Sequence, residues 1–204
     1  MRASAEQAAR RFARLATRAV VARPVLWRVF RGPLRAQFDR LAPSWEARRS
    51  PAPVAAALEH VDGSPRRILD LGTGTGIAAR VAAEHFAEAE IVGVDLAPAM
   101  VEEARRLLPD GLARRLRFRV ADAAALPYPD GDFDLVLLVN MIPFFEELAR
   151  VTARGGQLLF VWTSGPETPI YVPTAILRER LPPLGFTRLD EFAAAEGTGV
   201  IVRR

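Results

Sequence analysis

A glycine-rich turn between two regular segments constrains this chain more than any other feature. The largely apolar residues 68–71 predict a strand, and Gly72, Gly74 and Gly76 follow at alternate positions. From Ile77 onwards the residues favour a helix. Glycine at such a turn permits positive φ values and lets a ligand approach the bare backbone N–H groups. The pattern therefore predicts a strand, a tight turn and a helix, with a ligand at the turn.

The spacing of these glycines narrows the kind of ligand. A dinucleotide fingerprint, G-x-G-x-x-G, would place its third glycine where this chain has Ile77, so a nicotinamide dinucleotide is the weaker alternative. A P-loop for phosphates needs a lysine, and the chain has none. Asp70 lies two residues before the first glycine. Its carboxylate favours a ligand with an ammonium or sulfonium group over a pyrophosphate.

Two further acidic residues follow predicted strands. The apolar segment 90–95 ends on Asp95, which lies 19 residues after Gly76, where an acidic side chain can accept the ribose hydroxyl groups of a nucleoside. The segment 116–120 alternates apolar residues with arginines, as a half-exposed strand does, and Asp122 follows it. The sequence therefore predicts carboxylates at the ends of three successive strands.

Taken together, the D-L-G-T-G-T-G run, Asp95 and the V-A-D-A run at 120–123 resemble class I S-adenosylmethionine-dependent methyltransferases, over roughly residues 36–204. The resemblance implies an α/β fold with a Rossmann-like, doubly wound, seven-stranded sheet. This sheet is mostly parallel with an antiparallel C-terminal strand, and an N-terminal helical segment precedes it. It also implies S-adenosyl-L-methionine as the cofactor and a methyltransferase activity.

The resemblance also assigns roles to individual residues. Asp122 would accept the adenine amino group, while Leu96 and the backbone of Ala123 would lie near the adenine ring. Asn140 follows the fourth strand, where catalytic residues of this family often lie. The residues predicted to contact the cofactor are Asp70, Gly72, Thr73, Gly74, Gly76, Asp95, Leu96, Asp122, Ala123 and Asn140.

A general base is optional for methyl transfer, because the enzyme mainly holds donor and acceptor at reacting distance. The only candidates that the sequence offers are Glu167, Tyr171 and His60. The loop 163–173 is long and chemically varied enough to border a substrate pocket. The V-N-M-I run at 139–142 replaces the N/D-P-P-Y/F motif of related enzymes that methylate amino groups in DNA. The acceptor is therefore expected to be a small molecule, and a nucleic acid is disfavoured.

Length and composition limit the number of domains and the classes of protein to which this chain can belong. With 204 residues, half of them hydrophobic, one α/β domain is expected. The absence of cysteine and the presence of only two histidines argue against disulfides and against a metal site. No apolar run reaches the roughly 20 residues that cross a bilayer, and the N-terminus lacks the apolar core of a signal peptide. We expect a soluble, cytoplasmic protein that is at most peripheral to a membrane.

The N-terminal region differs from the rest in charge. Residues 1–36 hold nine arginines and one acidic residue, whereas the remainder holds 19 arginines and 23 acidic residues. An amphipathic helix is predicted at 3–23, and a boundary at Gly32-Pro33. We predict residues 1–35 as a basic amphipathic extension and 36–204 as the methyltransferase domain. The extension could contact anionic lipid, form an RNA-binding arm, or pack on the domain.

A short aromatic segment links the extension to the fold. Phe38 and Trp45 match an F-D-x-x-A-x-x-Y-type segment that closes over cofactor and substrate in the resembling family, with tryptophan in place of tyrosine. The alternative is that both residues anchor a helix on the core.

Three functions remain open at this point. The first is methylation of a small molecule, the second a non-catalytic module that retains the fold and its nucleoside site, and the third an RNA methyltransferase with a basic arm. The sequence gives no prediction of the oligomeric state.

Overall fold

Seven strands form one central sheet in the computed structural model, which describes residues 2–204 and all of their side chains except those of residues 2–6 and 48. The strands are β1 (Arg67–Leu71), β2 (Glu90–Asp95), β3 (Leu116–Val120), β4 (Phe133–Val139), β5 (Thr152–Trp162), β6 (Arg188–Ala194) and β7 (Gly197–Arg203). Their order is β3-β2-β1-β4-β5-β7-β6. The first five strands are parallel, and β7 runs antiparallel to both of its neighbours. The predicted fold class is thereby confirmed.

Helices cover both faces of the sheet. They are α1 (Arg2–Ala22), α2 (Trp27–Leu41), α3 (Ala52–Leu58), α4 (Ile77–His85), α5 (Pro98–Arg106), α6 (Phe145–Val151) and α7 (Thr174–Arg180). Alternate residues of β1 enter two separate hydrophobic clusters, since successive side chains of a strand point to opposite faces. Ile68 packs with residues of α3, α4 and α5, whereas Leu69 and Leu71 pack with residues of α1, α2, α6 and α7.

β2 and β3 begin and end at the predicted residues, and the apolar run at 133–139 predicts β4 with the bounds that the structure shows. The apolar run at 157–162 predicts the fifth strand, but β5 is longer because it begins at Thr152. Thr152 already pairs with Phe133, and an irregularity in the register follows before Leu135 pairs with Gln157. Gly155, at φ 76°, lies in this irregular stretch and hides the strand from a pattern-based reading.

The N-terminal helices pack against the body of the protein. Ala16, Val20, Trp27 and Leu34 are buried in the same hydrophobic cluster as β1 and β4. The boundary predicted at Gly32-Pro33 is wrong, because both residues lie inside α2, which continues from Trp27 to Leu41. The buried residues on either side of the proline hold the helix together although it lacks one backbone donor there.

The described residues contain no helix that combines the length and the apolar character needed to cross a membrane.

Candidate ligand site at the carboxyl ends of the strands

The glycine turn lies where the sheet order reverses, between β1 and β4. In open α/β sheets, ligands bind at such switch points beyond the carboxyl ends of the strands. The turn is fastened to β2, because the N–H groups of Gly72 and Thr73 both donate to the Val94 carbonyl oxygen at 2.9 Å. The N–H of Gly74 donates to Oδ2 of Asp95 at 2.9 Å.

Two of the glycines show what a side chain would meet at the turn. Gly76 has φ 84°, and a Cβ atom built there would lie 2.5 Å from Cζ of Phe118, so this glycine lets α4 pack close to β3. Gly74 has φ 55°, and a Cβ atom there would lie 3.1 Å from Nε1 of Trp45. Although the glycine spacing differs from the dinucleotide fingerprint, the third glycine, Gly76, still allows the helix to pack closely on the sheet.

Asp70 is a buried carboxylate with one unsatisfied oxygen. Its Oδ2 accepts hydrogen bonds from Oγ1 of Thr73 at 2.6 Å and from the N–H of Ala79 at 3.1 Å. Its Oδ1 is buried without a hydrogen-bond partner. Burial raises the pKa of Asp70 to about 6, against the partial relief from these two donors. An unpaired carboxylate oxygen at this place suits a cationic group of a ligand, because burying a polar atom without a partner is costly.

Asp95 ends β2 beside the glycine turn. Its Oδ1 accepts the N–H of Ala97 at 2.9 Å, while Oδ2 accepts the N–H of Gly74. Burial raises the pKa of this carboxyl group, and the two backbone donors oppose that effect. The predicted neighbour Leu96 is partly buried against the hydrophobic cluster that also contains Ala123. The structure thus brings the residues predicted for ribose and adenine to one edge of the sheet.

Asp122 contacts α2, and the sequence did not indicate this contact. Its Oδ1 accepts a hydrogen bond from Nε1 of Trp27 at 2.8 Å, and the N–H of Ala124 donates to the same atom at 3.0 Å. The guanidinium group of Arg31 lies 3.5 Å from Oδ2. The carboxylate predicted to accept the adenine amino group is therefore also a partner of α2. In the sequence, Trp27 is an aromatic residue among arginines, and nothing in that pattern indicates a hydrogen bond to Asp122.

The segment after α2 lies against the glycine turn. The indole of Trp45 contacts the ring of Phe38 edge to face, with 5.6 Å between the ring centroids. Glu46 accepts hydrogen bonds from Oγ1 of Thr75 and from the guanidinium group of Arg80. The aromatic residues of this segment pack on the body, as the second alternative predicts, and Trp45 and Glu46 also contact the turn and α4. Closure over cofactor and substrate stays a prediction. Glu46 is a site residue that sequence reasoning missed.

Asn140 has an unusual backbone conformation at the end of β4. Its φ is 51°, a left-handed value that asparagine tolerates better than most residues. Its side chain exchanges two hydrogen bonds with Thr163: Oδ1 accepts the N–H at 3.0 Å, and Nδ2 donates to Oγ1 at 2.9 Å. The side chain thus holds the start of the loop that follows β5.

None of the three candidate bases hydrogen-bonds to the glycine turn. His60 stacks on Phe192 of the edge strand β6, with 3.6 Å between centroids, and three strands separate β6 from β1. Glu167 is exposed, and its carbonyl oxygen accepts hydrogen bonds from Arg10 and Arg14 at 3.1 and 3.3 Å. Tyr171 packs edge to face on Trp162, and burial raises the pKa of its hydroxyl group.

Tyr171 also lines a cleft of about 350 Å³ between α1 and α7, together with Thr17, Val21 and Ile176. This cleft borders the loop that the sequence predicted to line a substrate pocket. Among the residues that the structure describes, no cluster of three or more histidine, aspartate or glutamate side chains could hold a metal ion.

Part of this chain is similar in sequence to known methyltransferases. A family model described as a methyltransferase domain matches residues 68–156. A malonyl-[acyl-carrier protein] O-methyltransferase of Halorhodospira halophila is 47% identical over 118 residues, which cover 54% of this chain and 39% of that protein. A demethylmenaquinone methyltransferase of Thermus thermophilus is 43% identical over 106 residues, which cover 48% of each chain. The chain thus spans less than half the length of either curated relative.

Solved structures share the fold at lower identity. A SAM-dependent methyltransferase from Aquifex aeolicus superposes with a TM-score of 0.65 at 18% identity, covering 83% of this chain and 97% of that one. The [4+2]-cyclase SpnF superposes with a TM-score of 0.60 at 21% identity, covering 81% of this chain and 80% of that one. The same fold is therefore found in proteins named for different reactions.

Proposed function

We propose that this chain, of which residues 68–156 match a methyltransferase domain model, is a class I, S-adenosylmethionine-dependent enzyme that transfers a methyl group to a small-molecule acceptor. The observation that carries the proposal is the position of three carboxylates, Asp70, Asp95 and Asp122, at the carboxyl ends of the neighbouring strands β1, β2 and β3. One of them has a buried oxygen without a partner.

The residues present fit the proposed cofactor. Asp70 and the glycine turn would hold its methionine end, Asp95 its ribose, and Asp122 its adenine amino group. Leu96 and Ala123 supply an apolar surface beside these carboxylates. When bound, S-adenosylmethionine would supply a methyl group bonded to a positively charged sulfur, and transfer of this group to a nucleophile would release the neutral thioether.

The contribution of the chain itself is positional. Orientation of two reactants can lower a barrier by several kcal/mol without a charged catalytic group. The indole of Trp45 lies next to Gly74. A Cβ atom built at Gly72 would lie 2.5 Å from Sδ of Met141. Side chains therefore shield the turn from water. Asn140 fixes the loop after β5 through Thr163. We therefore propose Asn140 as a residue that positions the acceptor loop.

The acceptor is proposed to enter through the cleft between α1 and α7. The cleft is large enough for a small molecule, and Tyr171 offers it a hydroxyl group whose pKa lies above the ordinary value. The two relatives are named for an acyl group on a carrier protein and for a quinone, so the chemical class of the acceptor differs among similar proteins.

We propose residues 36–204 as the methyltransferase domain and residues 1–35 as an extension that packs on it, with α2 running across the junction between the two. Parts of this extension remain suited to a membrane surface. Leu15, Val25 and Val29 are exposed by 60%, 65% and 65%. Arg18 and Arg28 are exposed in the same helical hairpin. We propose that this surface contacts anionic lipid, because apolar and cationic side chains together favour the interface of such a membrane.

Sedimentation with phosphatidylglycerol vesicles tests the membrane contact. The wild-type chain should sediment with the vesicles, and a Val25→Ser/Val29→Ser variant should stay in solution. Equal sedimentation of both proteins would remove this proposal and leave the cofactor site untouched. A cytoplasmic location stays a prediction.

A non-catalytic module is the second candidate. The cyclase SpnF shares the fold and is named for a reaction other than methyl transfer, so the fold alone does not establish that activity. Turnover separates the two functions. The chain is incubated with S-adenosylmethionine and a panel of thiol, hydroxyl, carboxyl and quinol acceptors, and release of S-adenosylhomocysteine is measured. Acceptor-dependent release supports methyl transfer, whereas tight binding without release for every acceptor supports the module. An Asp95→Ala variant serves as the control, because its weaker cofactor binding should lower release with every acceptor.

A further inference from the structure

A second cleft, of about 330 Å³, lies away from the glycine turn. It is formed by the starts of β1 and β2, by β3 and by the loop before β4. β3 is an edge strand, and Arg117 and Arg119 alternate along it with the buried residues Leu116 and Phe118. Because alternate residues of a strand face opposite sides, both arginines point toward the face that the cleft occupies.

The charges in this cleft are unbalanced. Arg67 is paired with Asp132 at 2.8 Å and with Glu90 at 3.2 Å. Arg114, Arg117 and Arg119 also line the cleft, are exposed, and form no ion pair or side-chain hydrogen bond with any described residue. Three guanidinium groups without partners therefore face one concave surface.

The loop adds a neutral donor to these cations. The Oη atom of Tyr128 is buried and has no hydrogen-bond partner among the described residues. Its ring packs edge to face on Phe133 at 5.1 Å between centroids, which fixes the side chain in the wall of the cleft. Burial raises the pKa of this hydroxyl group, so it keeps its proton at neutral pH. A buried hydroxyl without a partner is costly unless a ligand accepts its hydrogen bond.

We propose that this cleft binds a multiply charged phosphate group, with Arg114, Arg117 and Arg119 as cationic partners and Tyr128 as a hydroxyl donor. Guanidinium groups match phosphate oxygens because their parallel N–H groups can donate in pairs. Both acidic side chains of the wall, Glu90 and Asp132, are already paired with Arg67. The inference does not depend on methyl transfer, since the cleft shares no residue with the proposed cofactor site.

Inorganic pyrophosphate is the probe, titrated into the full chain by calorimetry at low and at physiological salt. We expect saturable binding that weakens with salt, because exposed cations are screened. An Arg117→Gln/Arg119→Gln variant should bind at least about tenfold more weakly, as expected when charged contacts are lost. The matched control is Arg154→Gln/Arg178→Gln, two exposed arginines outside the cleft, which should bind like the wild type.

A Tyr128→Phe variant tests the hydroxyl separately. It removes an atom that has no partner within the fold, so its thermal stability should equal that of the wild type or exceed it. Its affinity for pyrophosphate should fall by about threefold, the lower range for one lost hydrogen bond.

Vesicles that contain phosphatidic acid identify the source of the phosphate. Pyrophosphate binding without vesicle binding indicates a free phosphorylated ligand, and vesicle binding that the Arg117→Gln/Arg119→Gln variant loses indicates a lipid headgroup. The proposal is overturned if neither probe binds below about 10 mM, a range too weak for a specific site. It is equally overturned if the control variant weakens binding as much as the cleft variant.

Discussion

Replacement of Asp70 by asparagine should separate the stability of the fold from its capacity to bind a ligand. The carboxylate is 1% exposed, and one of its oxygens has no partner. Its pKa rises from 3.8 to about 6 on burial. Each pKa unit corresponds to about 1.4 kcal/mol, so the ionised form costs the folded state about 3 kcal/mol at pH 8.

The sign of this effect follows from linkage. A carboxyl group whose pKa is raised by folding favours the folded state only while it is protonated. That favourable contribution is present below the unfolded pKa of 3.8 and is lost as the pH rises through about 6. The asparagine variant does not titrate, and its amide oxygen can still accept the hydrogen bonds that Thr73 and Ala79 donate. Its stability should therefore lack this pH dependence.

Urea denaturation at about pH 4.5 and pH 8 measures the difference. The free energy of unfolding of Asp70→Asn, relative to the wild type, should rise by about 2 kcal/mol between these two pH values. The absolute gain at pH 8 is smaller than the full 3 kcal/mol, because the new amide leaves an unpartnered donor that costs about 1–3 kcal/mol.

The same variant should bind S-adenosylhomocysteine at least about tenfold more weakly, since a charged partner of the ligand is lost. A variant that is destabilised equally at both pH values, and that binds S-adenosylhomocysteine like the wild type, would refute this reasoning. Asp70 would then be a structural residue of the turn.

Three other substitutions test the site. Asp95→Ala should weaken S-adenosylhomocysteine binding by about 1–3 kcal/mol by calorimetry, the range for a lost partner of a buried group, and unchanged affinity would remove the ribose assignment. Gly74→Val should abolish binding but leave a folded protein by circular dichroism, because its side chain would occupy space beside Trp45; normal binding would make the glycine a turn residue only. Trp27→Phe removes the donor to Asp122 and should lower the free energy of unfolding by about 1 kcal/mol without weakening S-adenosylhomocysteine binding. A loss of affinity in this last variant would show that the indole belongs to the ligand site.

The sheet was predictable because its signals are local. The apolar runs that end at Asp95 and Val139 each show a strand pattern of their own. The glycine turn marks the place where β1 ends and α4 begins. Where a strand departs from a simple pattern, as β5 does around Gly155, its start was placed too late.

The contacts around the site were not predictable in the same way. The hydrogen bond between Trp27 and Asp122 joins residues that are 95 positions apart, and that between Thr75 and Glu46 joins residues 29 apart. Neither pair leaves a periodic signal, because each depends on how the N-terminal helices pack over the strand ends. The continuation of α2 through Pro33 has the same origin, since buried contacts of the helix outweigh the local preference of proline.

A crystal structure of the full chain with S-adenosylhomocysteine tests the central claim most directly. The account predicts the ribose hydroxyl groups within hydrogen-bonding distance of Asp95, the amino acid end beside Asp70 and the glycine turn, and the adenine amino group at Asp122. A nucleoside bound elsewhere, or bound at this edge of the sheet without contact to Asp95, would contradict it.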